Sequence, residues 1–140
     1  MRSETGISLP ELLVITVIVG ALAAVAIPAF RDQGDKGSDA EAKSAAVMAV
    51  RAIESCATEH GGRYEPCSEE MLLEIQPSLR DVRDRLVVEP GLRHYEIAVT
   101  SRRDPSVSFR VSRAEDGTAT RTCTTNGARG GCLVPTTGTW

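Results

Sequence analysis

Hydrophobic positions along this chain follow three different patterns. From Leu12 to Phe30 there is no charged residue, and Glu11 stands alone at the start of the run. Those nineteen residues would span roughly 28 Å as a helix, close to the hydrocarbon thickness of a bilayer. A second pattern follows Ser38. Ala42, Ala45, Ala46, Ala49, Val50, Ile53, Cys56 and Ala57 recur at helical spacing and predict an amphipathic helix over about 38–60. Lys43, Arg51, Glu54 and Glu59 fall off that face and are expected to be solvated. A third pattern begins at His94. Tyr95, Ile97 and Val99 alternate with polar residues, as do Val107, Phe109 and Val111, and a threonine-rich stretch runs from Thr118 to Thr124. This predicts an antiparallel meander over about 94–124 with one buried face.

The joints between these patterns carry turn and cap signals. Arg31 to Gly37 is polar and holds Gly34 and Gly37, which reads as a weak point or break before the Ser38–Glu41 capping box. Gly61-Gly62 ends the amphipathic helix. Ser68-Glu69-Glu70 opens a short capped helix that Pro77 stops. From Pro77 to Val88 the pattern fits a second short helix or a helix followed by a strand. The amphipathic helix is the natural cover for the buried face of the meander, so the fold class is α+β.

Composition narrows the chemistry. Lys+Arg total 16 against Asp+Glu 19, for a net charge of −3, and aromatics make up 4%. There is no basic stripe and no stacking platform, and the acidic balance argues against unassisted nucleic-acid binding. No phosphate loop, nucleophile elbow or metal-protease helix occurs, and neither histidine has an acid or nucleophile at informative spacing. The chain reads as a non-enzyme without cofactor. The cysteines Cys56, Cys67, Cys123 and Cys132 all follow the apolar run. An even count there suits disulfides. The loop after Gly61 can return Cys67 to Cys56, and Cys123 with Cys132 can close the glycine-rich C-terminal loop; other pairings stay open. His60 follows Cys56 at helical spacing, but the remaining spacing matches no zinc finger or ribbon, so no metal is expected.

Gly6, the apolar Ile7 and Glu11, followed by the uncharged run with Gly20 and Pro28, resemble the processing and assembly signal of type IV pilins and pseudopilins. Ile7 and Pro10 differ from the residues usual in that family. Pro10 is tolerable in a helix's first turn, where its missing N–H has no intrahelical partner. The C-terminal Gly138-Thr139-Trp140 with its second cysteine is similar to the heads of some actinobacterial-type pilin-like proteins. The resemblance implies a leader over 1–6, a hydrophobic anchor and filament-core helix over 7–30 and a globular head over 31–140. It also implies cleavage by a prepilin peptidase between Gly6 and Ile7, N-methylation of Ile7, and an assembly role for Glu11 opposite the Ile7 amine of a neighbour. Gly20 and Pro28 become helix-weakening positions. The implied partners are other copies, other pilins, the pilus assembly machinery and, before assembly, the cytoplasmic membrane; the implied destination is an extracellular filament. The alternatives are a pseudopilin of a secretion system and a minor pilin for adhesion or DNA uptake.

Two processing alternatives compete. A secretory signal would be cut after Ala24-Val25-Ala26, but Arg2 is cancelled by Glu4 and Glu11 abuts the apolar core, which suits such a signal poorly. An unprocessed single-pass anchor is the other.

Overall fold

The computed structural model describes residues 7–125, 132 and 138–140, without the side chains of Arg31 and Asp32. Its contacts divide the chain into two units, one ending at Gly34 and the other running from Asp35 to Trp140. The second unit is called the head below. The helix α1 is assigned from Leu9 to Glu59, so its first part belongs to one unit and its second part to the head.

The helix has no break at Arg31–Gly37, and Ser38 is not an N-cap. A glycine inside a helix costs only about 1 kcal/mol relative to alanine. The polar residues after Gly37 have partners elsewhere. The Ser38 hydroxyl lies 2.9 Å from that of Ser101 and accepts from the Arg103 N–H at 3.1 Å, while Ser101 donates to Asp39 at 2.7 Å. Both Ser38 and Asp39 are buried. The sequence signal for a cap thus marks a polar seam between α1 and the Thr100–Ser106 turn.

Within the head, α1 buries Ala42, Ala45, Ala46, Ala49, Ala52, Ile53, Cys56 and Ala57. Val50 is only half-buried, and Ala52 takes a place on the covered face. Small side chains let the sheet approach closely. The helix ends as the glycine pair requires: the Gly62 N–H reaches back to the Ala57 carbonyl at 2.7 Å, with Gly61 at φ +67°. A second helix, α2 (Glu69–Ile75), is capped by the Ser68 side chain, which accepts from the Met71 N–H. A 3-10 helix (Pro77–Arg85) follows, with Pro77 at its start where the missing N–H costs nothing.

The sheet has four strands, β1 (Leu86–Pro90), β2 (Tyr95–Thr100), β3 (Ser108–Arg113) and β4 (Ala119–Thr124), in the order β1-β2-β3-β4 and antiparallel throughout. The Pro77–Val88 region resolves as helix then strand, so the meander gains β1 ahead of the three predicted strands. The row Val88–Ile97–Val111–Arg121 faces α1, as does Leu86–Val99–Phe109–Cys123. Tyr95, Ile97, Val99, Phe109 and Val111 are all buried there. The observed architecture is the α+β arrangement predicted from the pattern: a long N-terminal helix whose later part packs on a C-terminal antiparallel sheet.

Candidate functional site

The apolar run is the most unusual surface of the molecule. Among the described residues, all but three of the exposed large apolar side chains, the exceptions being Ile75, Val87 and Leu92, lie between Ile7 and Phe30. Leu12, Leu13, Val14 and Ile15 are exposed in succession, so every side of the helix is apolar. A helix of that kind is covered by something, either lipid or other protein. By length and composition it is long enough to cross a bilayer, and none of its most apolar window is buried within the chain. The helical assignment runs through Gly20 and Pro28. Gly20 has open space around it, so nothing within this chain demands a glycine there.

The start of the helix is built around Glu11. The first intrahelical bond runs from the Leu12 N–H to the Ser8 carbonyl at 3.0 Å, which makes Ser8 the cap residue and puts Pro10 in the first turn. The Ser8 N–H donates to Glu11 Oε2 at 3.4 Å. Ser8 and Glu11 thus form the reach-back half of a capping box, and the carboxylate also sits where the helix dipole favours negative charge. The Ser8-Leu9-Pro10-Glu11 spacing is that of a capping box, a signal in the sequence that the assembly role expected for Glu11 did not bring out. Gly6 lies outside the described residues, and Ile7 is exposed.

The four cysteines form two disulfides, Cys56–Cys67 and Cys123–Cys132. His60 Nδ1 lies 2.8 Å from the Cys56 carbonyl oxygen and 3.6 Å from Cys56 Sγ. Cys56, His60 and Cys67 are close enough to resemble a metal cluster, but the disulfide occupies both sulfurs and leaves no thiolate to bind an ion.

The head holds polar groups that sequence reading placed in solvent. Glu54 is half-buried and accepts from Tyr64 at 2.9 Å, from Tyr95 at 3.1 Å and from Arg113 at 3.2 Å. Burial, with the Glu54 carboxylate beside them, raises both phenols above their ordinary range. Lys43 is likewise not free in water: its ammonium stands 5.1 Å from the Phe109 ring centre and 5.5 Å from that of Trp140. Trp140 packs edge-on against Phe109 and donates from Nε1 to the Thr122 carbonyl at 2.9 Å. These contacts brace the helix against the sheet.

No family model, curated protein or solved structure matches this chain in the comparisons made. The functional reading therefore rests on the residues and their geometry.

Proposed function

We propose that this chain is a pilin-like structural subunit, cut between Gly6 and Ile7 by a prepilin peptidase and assembled with other copies through its N-terminal helix. The observation that carries the reading is a membrane-length helix, apolar on every side, continuous in sequence with a disulfide-bonded α+β head. Before assembly the segment from Ile7 to Phe30 holds the subunit in the cytoplasmic membrane. In the filament, other copies replace lipid around it, and burial of apolar surface drives the exchange. The head then lies outside the membrane, where disulfides persist. The role is structural and not enzymatic.

Glu11 has two candidate duties in this scheme. One is the cap on Ser8 within its own helix. The other is a charge partner for the N-methylated Ile7 amine of a neighbour, setting register more than adding net stability, because desolvation opposes the attraction. Glu11→Gln separates them. Glutamine retains the reach-back bond but carries no charge. We expect both Glu11→Gln and Glu11→Ala to be processed normally and to be lost from filaments. Normal incorporation of Glu11→Gln would assign Glu11 to capping alone.

The first test of the whole reading is intact mass. A chain starting at Ile7, one methyl group heavier and lacking the hydrogens of two disulfides, is the expected species. A chain starting after Ala26 would overturn the proposal. A pseudopilin or a minor pilin for adhesion or DNA uptake shares these features. Abundance in sheared surface fractions separates a major subunit from either.

A further inference from the structure

Among the described residues, the β4 edge of the sheet is only partly paired, and it lies beside a charged groove. On β4, the N–H and C=O of Cys123 both pair with Gly138, at 2.7 and 3.1 Å. Backbone direction alternates along a strand, so Arg121 and Ala119 turn their N–H and C=O groups the same way. Among the described residues nothing bonds to those outward groups. Next to them lies a groove of about 720 Å³ between α1 and β4. Val47 and Val50 of α1, with Val111 and Tyr95 of the sheet, make its apolar floor, and Arg51 and Arg121 stand along it. Both arginines are exposed and neither has a carboxylate partner among the described residues, although the Arg121 guanidinium stands 5.2 Å from the Trp140 ring centre. Elsewhere on the head, Arg83, Arg85, Arg102, Arg103, Arg110 and Arg113 are each paired with Asp or Glu, whereas the exposed Arg63, Arg80 and Arg93 stand away from this groove's lining.

We infer that this groove docks an extended, acidic, β-prone segment of a partner protein, which adds to the sheet beside Ala119 and Arg121. Each part of the site matches one feature of such a segment. The edge supplies alternating donors and acceptors for a peptide backbone. The floor accepts every second side chain, if apolar. The two guanidiniums take carboxylates, and do so bidentately. A nucleic acid strand satisfies the arginines but brings no peptide backbone to the edge. A second copy offers its own free edge, β1, where Glu89 is exposed. Its register puts Glu89 in the row with Glu96, Ser112 and Thr120, on the face away from α1, whereas Arg121 shares the row of Val111 on the α1 side. In a continuous sheet with its helices on one side, those charges cannot meet. The inference concerns the head alone and stands whether or not the N-terminal helix assembles.

The test uses the full chain in detergent micelles and labelled octapeptides, acetylated and amidated, in which valine alternates with aspartate or with lysine. The aspartate peptide should bind about tenfold more tightly than the lysine peptide, since complementary charge favours one and repels the other. Arg51→Glu and Arg121→Glu should each weaken it about fivefold and abolish the preference. Arg51→Gln and Arg121→Gln, which add no charge of opposite sign, should give smaller losses in the same direction. Amide hydrogen exchange at Ala119 and Arg121 should slow on binding. Equal binding of the two peptides, no binding of either, or unchanged exchange at Ala119 and Arg121 would overturn the inference. So would an oligothymidylate that binds with the same arginine dependence, or exchange that slows with protein concentration alone, which would name a nucleic acid or a second copy as the occupant.

Discussion

Replacing Tyr95 with Phe tests whether the Glu54 cluster holds the head together. Tyr95 is 2% exposed, and its hydroxyl donates to Glu54 Oε1 at 3.1 Å. Removing the hydroxyl deletes one hydrogen bond to a charged acceptor, which costs about 1.5 to 3 kcal/mol in general. Glu54 keeps Tyr64 and Arg113, so the lower end of that range, about 1.5 kcal/mol, is expected here. The same residue carries a pH signature. Burial raises the Tyr95 phenol above its unfolded value, with the charge of Glu54 as the next cause. An acid whose folded pKa is raised contributes fully below the unfolded pKa, and that contribution is lost as pH climbs toward the folded one. Between those points the unfolded chain has released the proton and the folded chain has not, so stability falls by up to ~1.4 kcal/mol per pH unit for each such phenol. Tyr64 and Tyr95 are the two tyrosines of the chain, and both are raised. Urea unfolding of the full chain in micelles, followed by near-UV circular dichroism from about pH 9 to 11, should show a steep loss in the wild type and a distinctly shallower one in Tyr95→Phe. Equal slopes in the two proteins would refute the assignment of the alkaline loss to this cluster.

Other perturbations test separate parts of the molecule. Trp140→Ala removes the edge-on contact with Phe109 and the bond to the Thr122 carbonyl; about 2 kcal/mol should disappear from a denaturant midpoint analysis. Gly117 sits at φ +88° in the β3–β4 turn, so Gly117→Ala should lower the melting temperature by the equivalent of roughly 1 kcal/mol, and an unchanged melt would mean that the turn relaxes freely. Replacing both Cys56 and Cys67 by Ala opens a loop of sequence separation 11 and should cost about 2 to 3 kcal/mol, read as a shift in urea midpoint. Ile18→Asp, near the middle of the exposed apolar stretch, should leave the melting of the head unchanged while shifting the full chain out of the membrane fraction.

Local pattern made the layers of this fold legible. Alternation at Tyr95, Ile97 and Val99 identifies a buried strand face because the side-chain period of a strand is fixed at two. The alanine stripe of α1 and the Ser68 cap are local in the same sense. At β1 the pattern admits either a helix or a strand, because Leu86-Val87-Val88 has no alternation and Pro90 ends it before a pattern develops. The continuity of α1 through Gly34 and Gly37 escaped for a different reason. What holds Ser38 and Asp39 in the helix is Ser101, sixty-odd positions later, and no window along the sequence contains both. The partners of Glu54 and Lys43 are equally remote, since Tyr95, Arg113 and Phe109 come from distant strands and Trp140 from the far end of the head. The apolar helix is plain from composition, whereas the Ser8–Glu11 bond depends on where the helix begins, which the uncharged run alone does not mark.

The two disulfides join cysteines that are neighbours in order along the chain. Four cysteines permit three complete pairings, and this head uses the one in which no bridge spans another. For a chain entering an oxidising compartment from its N-terminal side, each cysteine meets its correct partner before any later competitor arrives. Among the described residues the strands likewise pair only with their sequence neighbours. Contacts of short range close quickly and with little loop entropy. Such a head can be completed in the order in which it is delivered, with no bridge to be undone on the way. Reduced chain returned to oxidising buffer should therefore regain its native pairs without a disulfide isomerase, and peptide mapping of the early products would show Cys56–Cys67 and Cys123–Cys132 ahead of any crossed pair.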